Sequence, residues 1–223
     1  MQRSERTIQM KRENPTKHPA DFVAPKQRRA VLTRQELIRA ARIVFARNGF
    51  EQTRIEDIAA KAGKTRGAFY DNFEDKEDVF FAIFEEDILR DQRRFLPRLH
   101  GAATTDERVE TLTDSLAALL RNRQRTLLNL EFKMYVIRHP SKQKRLAALH
   151  AAVLLRCVMA EVSQLLPEMA ELGEADRWKR KLELTATVDG LALNRLFTPA
   201  SMTEEEVRRY LRRMLCQTIF DEK

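Results

Sequence analysis

The chain has 223 residues, and its 43% apolar content is enough to build a substantial hydrophobic core. Its longest apolar runs are far shorter than the roughly 18 residues needed to cross a membrane, and the N-terminus lacks the apolar segment of a secretory signal. We therefore expect a cytoplasmic protein with no membrane partner. Cys157 and Cys216 match no metal-ligand spacing and are expected to be buried thiols, so no metal or cofactor is predicted.

The net charge of +8 is concentrated at the N-terminus. Residues 1–29 carry eight Lys and Arg against three Asp and Glu, and they include three prolines. Such a polar segment cannot bury enough surface to fold alone, so we predict a flexible basic leader. A basic segment beside a folded domain indicates a polyanionic partner, and a solubilising tail is the alternative.

Capping boxes mark the starts of the first two predicted helices, one beginning at Thr33 and the other at Thr53. Gly49 and Gly63 are expected to end these helices as C′ residues. A third helix has room only for residues 65–72. Two short helices that meet at a glycine-containing turn are typical of a helix-turn-helix.

Longer helices follow, separated by prolines and glycines. We predict them at residues 75–99, interrupted late by Pro97, and at 105–122, 124–138, 141–166, 176–197 and 203–220. Three short helices followed by six longer ones indicate an all-α protein in two parts. The first is a helix-turn-helix domain at 30–78, and the second is a larger helical domain at 79–223.

The stretch AGKT at 62–65 raises the alternative of a nucleotide-binding enzyme, because these letters end the pattern of a phosphate-binding loop. The first glycine of that pattern would fall on Ile58, and the preceding segment is predicted as a helix where a phosphate loop follows a strand. The sequence contains no nucleophile elbow, and its four histidines are isolated. We therefore predict that the protein is not an enzyme.

Gly67 lies inside a very short predicted helix, where glycine costs about 1 kcal/mol relative to alanine. Together with Ala68 it leaves the helix surface nearly bare, so that the backbone can lie against base edges. Lys64, Thr65 and Arg66 lie at the N-terminal end of this helix, where backbone amides favour phosphate. This pattern favours a DNA-reading helix, and the alternative is that Gly67 is a close packing point between helices.

The run from Thr33 to Val79 resembles the DNA-binding domain of the tetracycline-repressor (TetR) family, most clearly along TRIEDIAAKAGKTRGAFYDNFEDKE. The residues that fall in register are Thr53, Ile58, Ala59, Ala62, Gly63, Gly67, Tyr70, Phe73 and Lys76. Lys64 departs from the family pattern, which has a small apolar residue in the turn, and we expect its side chain to point to solvent. The resemblance implies a homodimer that represses transcription from a palindromic operator in double-stranded DNA. It also implies that a small-molecule effector, bound by the C-terminal helices, releases the DNA.

On the same resemblance, Thr65, Arg66 and Gly67 would face the groove while Tyr70 and Lys76 contact phosphates. Arg66 can hold guanine through two hydrogen bonds. The full predicted contact set is Thr53, Arg54, Lys64, Thr65, Arg66, Gly67, Tyr70, Asn72 and Lys76. At the end of the leader, Arg28 and Arg29 are candidates for an arm in the adjacent minor groove. An architectural DNA-binding protein without an effector is the remaining alternative.

The homodimer is expected to form through the helices at 176–197 and 203–220. Each has a broad apolar face, and Gly190 would permit close approach of a symmetry mate. The alternative is that both helices belong to an ordinary intramolecular bundle.

The effector site is predicted around helix 124–138, where Glu131 lies on an apolar stripe. A carboxylate in that position is a candidate for recognising a cationic ligand, and pairing with a nearby arginine is the alternative. Met134, Tyr135 and Phe84 complete the candidate ligand residues, although core packing also explains the apolar and aromatic residues of these helices.

Overall fold

The computed structural model describes residues 25–154, 165–170 and 172–220, and within these ranges every regular element is an α-helix. The helices are α1 (Pro25–Asn48), α2 (Ile55–Lys61), α3 (Arg66–Tyr70), α4 (Lys76–His100), α5 (Thr105–Arg121), α6 (Arg123–Arg138), α7 (Pro140–Leu154), α8 (Pro167–Ala170), α9 (Glu174–Phe197) and α10 (Glu204–Thr218). The all-α prediction is confirmed. None of the described helices combines the length and the apolar character required to cross a membrane.

The start of α1 differs from the prediction. The helix begins at Pro25 and passes through Thr33 without a break, so the capping box predicted there is wrong. A proline suits the first helical turn, because the backbone N–H that it lacks would have no partner there. Arg28 and Arg29 are therefore helical and exposed, while residues 1–24 of the predicted leader lie outside the described residues.

The predicted start of α2 is wrong by one residue. The N-cap is Arg54, whose backbone N–H donates to Asp57 Oδ2 at 3.3 Å. Thr53 is buried, and its hydroxyl donates to the carbonyl of Gly49 at 2.7 Å. Thr53 therefore closes the turn between α1 and α2.

Gly49 and Gly63 end α1 and α2 as predicted. Their φ angles of 77° and 65° lie in the left-handed region, which glycine adopts without steric cost. The chain then turns sharply into α3, and α4 follows after a second short turn. The proline at position 97 does not end α4, which continues to His100.

Two hydrophobic clusters form the interior. The first joins α1, α2 and α3 to the N-terminal half of α4 and to α6 and α7. At its centre the ring of Phe50 packs edge-on against Phe80, Phe132 and Tyr135, with centroids 5.7, 5.2 and 5.0 Å away. This core therefore does not divide at residue 78, where the sequence placed the domain boundary.

The second cluster joins the C-terminal end of α4 to α5, α8, α9 and α10. Val207 and Leu211 of α10 are fully buried in it, so the apolar face of α10 packs within the chain. Arg208 and Arg212 of α10 hydrogen-bond to Glu110 of α5 at 3.0 and 2.9 Å. This packing of α10 is what the alternative of an intramolecular bundle predicts for that helix. Cys216 is buried here, and Cys157 lies outside the described residues.

The outer face of α9 is different, because it carries large apolar side chains that the described part of the chain leaves exposed. Leu182, Leu193 and Phe197 are 60%, 57% and 83% exposed. Gly190 lies between them with no described atom within 4 Å of the position that a Cβ would take. We call this surface the α9 outer face.

Candidate nucleic-acid interface and ligand cavity

The turn between α2 and α3 presents α3 on the surface of the protein. Ala59 and Phe69 are buried beneath it and anchor the two helices on the first cluster. Thr65 is the N-cap of α3, and its hydroxyl accepts a hydrogen bond from the backbone N–H of Ala68 at 3.1 Å. This geometry leaves the opposite side of α3 facing solvent, which is the arrangement of a recognition helix.

Gly67 lies on that exposed side. A Cβ added to it would meet only the hydroxyl oxygen of Thr65, at 3.7 Å. No described neighbouring helix approaches it, so the alternative in which Gly67 is a packing point is wrong. Its bare surface is available to a ligand.

Arg66 is held in place by two exposed neighbours. Its Nη1 lies 3.0 Å from Glu56 Oε1 on α2, and its Nη2 donates to the hydroxyl of Tyr70 at 3.3 Å. The Arg66 side chain remains 62% exposed. The three side chains thus form a polar bridge across the outer surface of α2 and α3.

Two other predicted contact residues also lie at this surface. Arg54 is exposed at the start of α2. Asn72 is half-buried, and its side-chain amide donates to the carbonyl of Ala68 at 2.8 Å. Both extend the surface around α3 that we call the α3 face, which comprises Arg54, Thr65, Arg66, Gly67, Tyr70 and Asn72.

The expectation that Lys64 points to solvent is wrong. Its ammonium lies 2.8 Å from Glu36 Oε2 on α1, and only 30% of the side chain is exposed. The lysine that departs from the family pattern therefore ties the turn to α1. The AGKT stretch does not form a phosphate-binding loop, because the segment before it is the helix α2 and its lysine pairs with a carboxylate.

Lys76 was predicted to contact phosphate, but its ammonium points into the protein. It donates to the backbone carbonyls of Phe50, Glu51 and Thr53 at 3.0, 2.6 and 3.4 Å. Burial lowers the pKa of Lys76, although Glu77 and Glu51 oppose this effect. Lys76 and the buried Thr53 therefore hold the turn between α1 and α2, and neither belongs to the α3 face.

The prediction that Glu131 recognises a cationic ligand is also wrong. Its Oε2 accepts a hydrogen bond from the backbone N–H of Phe50 at 2.9 Å. A carboxylate of α6 is thus attached to the turn that precedes α2. The Glu131 carboxylate therefore links α6 to the turn between α1 and α2, and its partner in this contact is a backbone amide and not an arginine.

Of the other predicted ligand residues, only one faces a cavity. Met134 is 48% exposed on the outside of α6. The hydroxyl of Tyr135 donates to Glu77 Oε1 at 2.5 Å, and Lys142 donates to the same oxygen at 2.6 Å. Burial acts to raise the pKa of Glu77, but the hydrogen bonds from Lys142, Tyr135 and the backbone, together with the charge of Lys142, lower it overall. Phe84 does line a cavity.

That cavity has a volume of about 270 Å³ and is lined by residues of the seven helices α4 to α10. Most of its wall is apolar. Its main apolar side chains are Phe84, Ile88, Phe95, Leu112, Leu116, Leu119, Leu184 and Val188. A concave, mostly apolar space with a few polar groups is the usual form of a small-molecule site.

Charged side chains line the same cavity. Arg125 pairs with Asp91, and Lys133 pairs with Asp189. Lys181 has its ammonium buried, with no hydrogen-bond partner among the described residues, and burial lowers its pKa.

His150 stacks on Phe84 with ring centroids 4.6 Å apart. Burial, together with the charges of Lys133 and Lys181, lowers its pKa to about 4. The imidazole is therefore neutral at neutral pH.

Lys181 was not among the ligand residues predicted from the sequence, although it shares a helical stripe with Leu184 and Val188 at a spacing of three and seven residues. A lysine at an apolar position of an amphipathic helix was the available signal.

A chain of ion pairs connects the cavity to α1. Asp87 is 3% exposed and lies 2.7 Å from Arg42 of α1, 2.9 Å from Arg90 and 3.6 Å from Arg125 of α6. Arg125 in turn pairs with Asp91 in the wall of the cavity. If a ligand displaced α6, the movement would therefore reach Arg42 of α1 through Asp87 of α4.

Comparison with known proteins agrees with this geometry. The family model described as "Bacterial regulatory proteins, tetR family" matches residues 37–83, which run from the second half of α1 through the first part of α4. The HTH-type transcriptional repressor AcnR of Corynebacterium glutamicum is 40% identical over 58 residues, covering 26% of this chain and 31% of that protein. BepR of Brucella suis, also an HTH-type transcriptional repressor, is 40% identical over 72 residues, covering 30% and 34% of the two chains. The matched segment spans about a third of the length of these relatives.

The similarity in fold extends over nearly the whole chain. The fatty acid degradation regulator FadR of Bacillus halodurans superimposes with a TM-score of 0.63 over 87% of this chain and 96% of its own, at 20% identity. GusR of Salmonella enterica gives a TM-score of 0.62 over 85% and 96% of the two chains, at 25% identity. The helix-turn-helix segment is therefore matched in sequence to the tetR family of bacterial regulatory proteins, and the helical body shares the fold of the two regulators named above.

Proposed function

We propose that the protein is a sequence-specific DNA-binding repressor of transcription in the cytoplasm, without catalytic activity. It acts as a homodimer on a palindromic operator and releases the DNA when a small molecule occupies the cavity. The observation that carries the proposal is the bare, exposed surface at Gly67 within the matched family segment. The names of the relatives AcnR and BepR support repression over activation.

In this proposal the α3 face enters the major groove. Arg66 reads a base edge, because its fork of N–H donors matches the two acceptors of guanine. Tyr70 reaches a phosphate through its hydroxyl while its ring packs edge-on against Phe69, with centroids 5.7 Å apart. Glu56 must release Arg66 during binding, which costs little because both side chains are exposed.

The α9 outer face is the proposed dimer interface. Its exposed leucines and Phe197 form an apolar surface of the kind that protein partners cover, and Gly190 allows the two copies to approach closely. The double variant Leu193→Glu and Phe197→Glu should yield a monomer in light scattering of the purified protein. If the double variant remained a dimer, the interface would have to lie on another surface.

Arg28 and Arg29 are proposed to contact the DNA backbone or the adjacent minor groove from the first turns of α1. Removing one cation that neutralises a phosphate should reduce the slope of log affinity against log salt by about 0.9. A homodimer carries four such arginines, so changing both positions to alanine should flatten the slope by up to about 3.6 units. Equal slopes for the variant and the wild-type protein would leave these residues without a DNA role.

The decisive test is selection of binding sites from a pool of random duplexes, performed with the full chain. A repressor should enrich a palindrome with a fixed spacing between its half-sites. The alternative, an architectural protein, would retain random DNA as tightly as any enriched sequence. Absence of any enriched sequence would contradict the proposal.

A further inference from the structure

The charges in the wall of the cavity do not balance. Among the side chains that line it, Asp91 and Asp189 are the carboxylates, and they pair with Arg125 and Lys133. Both carboxylates are thus neutralised by a cation from α6. Lys181 adds a further positive charge for which the described lining residues offer no carboxylate.

The ammonium of Lys181 has no hydrogen-bond acceptor within the described part of the chain, and its nitrogen is shielded from solvent. The ring of Trp178 lies beside it, with the ring centroid 5.0 Å from Nζ. Buried polar groups in folded proteins nearly always have partners, and an unpaired ammonium is among the costliest exceptions. A cation held in this way is suited to a partner that enters from outside.

The neutral imidazole of His150 stands near Lys133 and Lys181, since the charges of both lysines act on it. A neutral imidazole can donate one hydrogen bond to an anion without adding a charge of its own. Arg180, also in the wall, donates to the carbonyls of Thr218 and Ile219 at the end of α10. Arg180 therefore links the part of α9 that carries Lys181 to the end of α10.

We propose that the cavity binds an amphipathic organic acid, with its carboxylate on Lys181 and its apolar body along Phe84, Ile88 and Leu112. This proposal rests on the proposed function, in which the cavity is the effector site. A water-sized group takes about 30 Å³ in a liquid, so the cavity has room for about nine such groups. A cationic ligand is disfavoured because both carboxylates among the described lining residues are paired, and a neutral ligand would leave Lys181 unpaired.

Isothermal titration with matched probes tests the charge preference. We would compare octanoate with 1-octanol, and 3-phenylpropanoate with 3-phenyl-1-propanol, using the purified full chain without DNA. At least one acid should bind about tenfold or more tightly than its alcohol, because a hydrogen bond to a charged group contributes more than a neutral one. Equal affinity within both pairs, or no binding of either acid, would overturn the proposal.

Three variants locate the charge. Lys181→Met should remove the preference for the acid and leave the affinity for the alcohol unchanged, whereas Lys181→Arg should retain the preference. Lys179→Met is the matched control, because Lys179 is exposed on the same helix, two residues away. If Lys181→Met retained the preference for the acid, the assignment of Lys181 would be wrong.

A second measurement separates this proposal from the proposed function. The selected operator, bound to wild-type protein, would be titrated with the acid that binds best. Release of the DNA supports both proposals. Tight acid binding without release contradicts only the effector mechanism, whereas operator binding without acid binding contradicts only the ligand class.

Discussion

Arg66 on the α3 face and Lys181 in the cavity are both cations that we propose to bind a ligand, but their surroundings differ. Arg66 is exposed and has a carboxylate and a hydroxyl as partners. Lys181 has its ammonium buried and has no such partner among the described residues. An exposed ion pair contributes about 0–1 kcal/mol, so Arg66 can exchange Glu56 for DNA at little cost. An unsatisfied buried group costs about 1–3 kcal/mol, so Lys181 lowers stability until an anion arrives.

Lys76 provides a third case, because it is half-buried and fully satisfied by backbone carbonyls. It stabilises the fold and is not available to a ligand. A buried cation whose hydrogen bonds are all made within the protein has a structural role. A cation with exposed partners or none is a candidate for binding a ligand.

Gly67→Leu should have the largest effect, because the added side chain would stand between the backbone of α3 and the DNA. We expect loss of detectable operator binding in a fluorescence anisotropy titration. The melting temperature should change little, since no described side chain or backbone of a neighbouring helix lies within 4 Å of the new Cβ. A large drop in melting temperature would show that Gly67 has a packing role.

Lys76→Met should lower the free energy of unfolding by about 2–3 kcal/mol, because it leaves three carbonyls without their charged donor. Urea denaturation measures this change. Lys61→Met is the control, since Lys61 is exposed on α2 and its loss should have an effect of less than about 0.5 kcal/mol. Unchanged stability in Lys76→Met, combined with weaker binding to all DNA sequences, would restore the phosphate contact that the sequence predicted.

Arg66→Ala should reduce operator affinity by about 1–3 kcal/mol, and the loss should be confined to one base pair in each half-site. Anisotropy titrations with a set of operators, each changed at one position, measure this pattern. A uniform loss on every operator would instead assign Arg66 to a phosphate.

Lys181→Met should stabilise the ligand-free protein by about 1 kcal/mol, because methionine fills a similar volume without an unpaired charge. Thermal unfolding in the absence of any organic acid measures the change, with Lys179→Met as the control. Lower stability in Lys181→Met would mean that the ammonium contributes to the fold.

Glu56→Gln should have the smallest effect. It removes the charge that competes with DNA for Arg66, so operator affinity should rise by less than about 1 kcal/mol. The gain should disappear in an Arg66→Ala background, because the two side chains act through one contact. A gain that persists without Arg66 would come from general charge repulsion between Glu56 and the DNA.

The local features of the DNA-binding segment were predictable from the sequence. Gly49 and Gly63 were expected to end helices, and both have left-handed backbone. Gly67 was expected to leave the surface of a short helix bare. Each of these predictions depends only on residues a few places away in the sequence. The start of α1 was not predictable in this way. The motif at Thr33 has the letters of a capping box, but the helix had already begun at Pro25.

The roles of charged side chains were the main failure, because their partners are distant in sequence. Glu131 bonds to a backbone amide 81 residues away, and Lys76 bonds to carbonyls 23 to 26 residues away. Hydrophobic periodicity places such residues on a face of a helix but says nothing about what meets that face. The full wall of the cavity could not be predicted for the same reason, since residues of seven helices contribute to it.

The contacts of Glu131 and Asp87 have a consequence for how new ligand specificities arise. Neither side chain lines the cavity, yet they attach α6 and α4 to the turn before α2 and to α1. Substitutions among the apolar lining residues therefore alter which molecule fits without touching these attachments. We expect libraries randomised at Leu112, Leu116 and Leu184 to yield proteins that respond to different acids and still recognise the same operator. Mutation can thus change ligand choice and DNA choice independently, which suits the chain to redesign as a sensor.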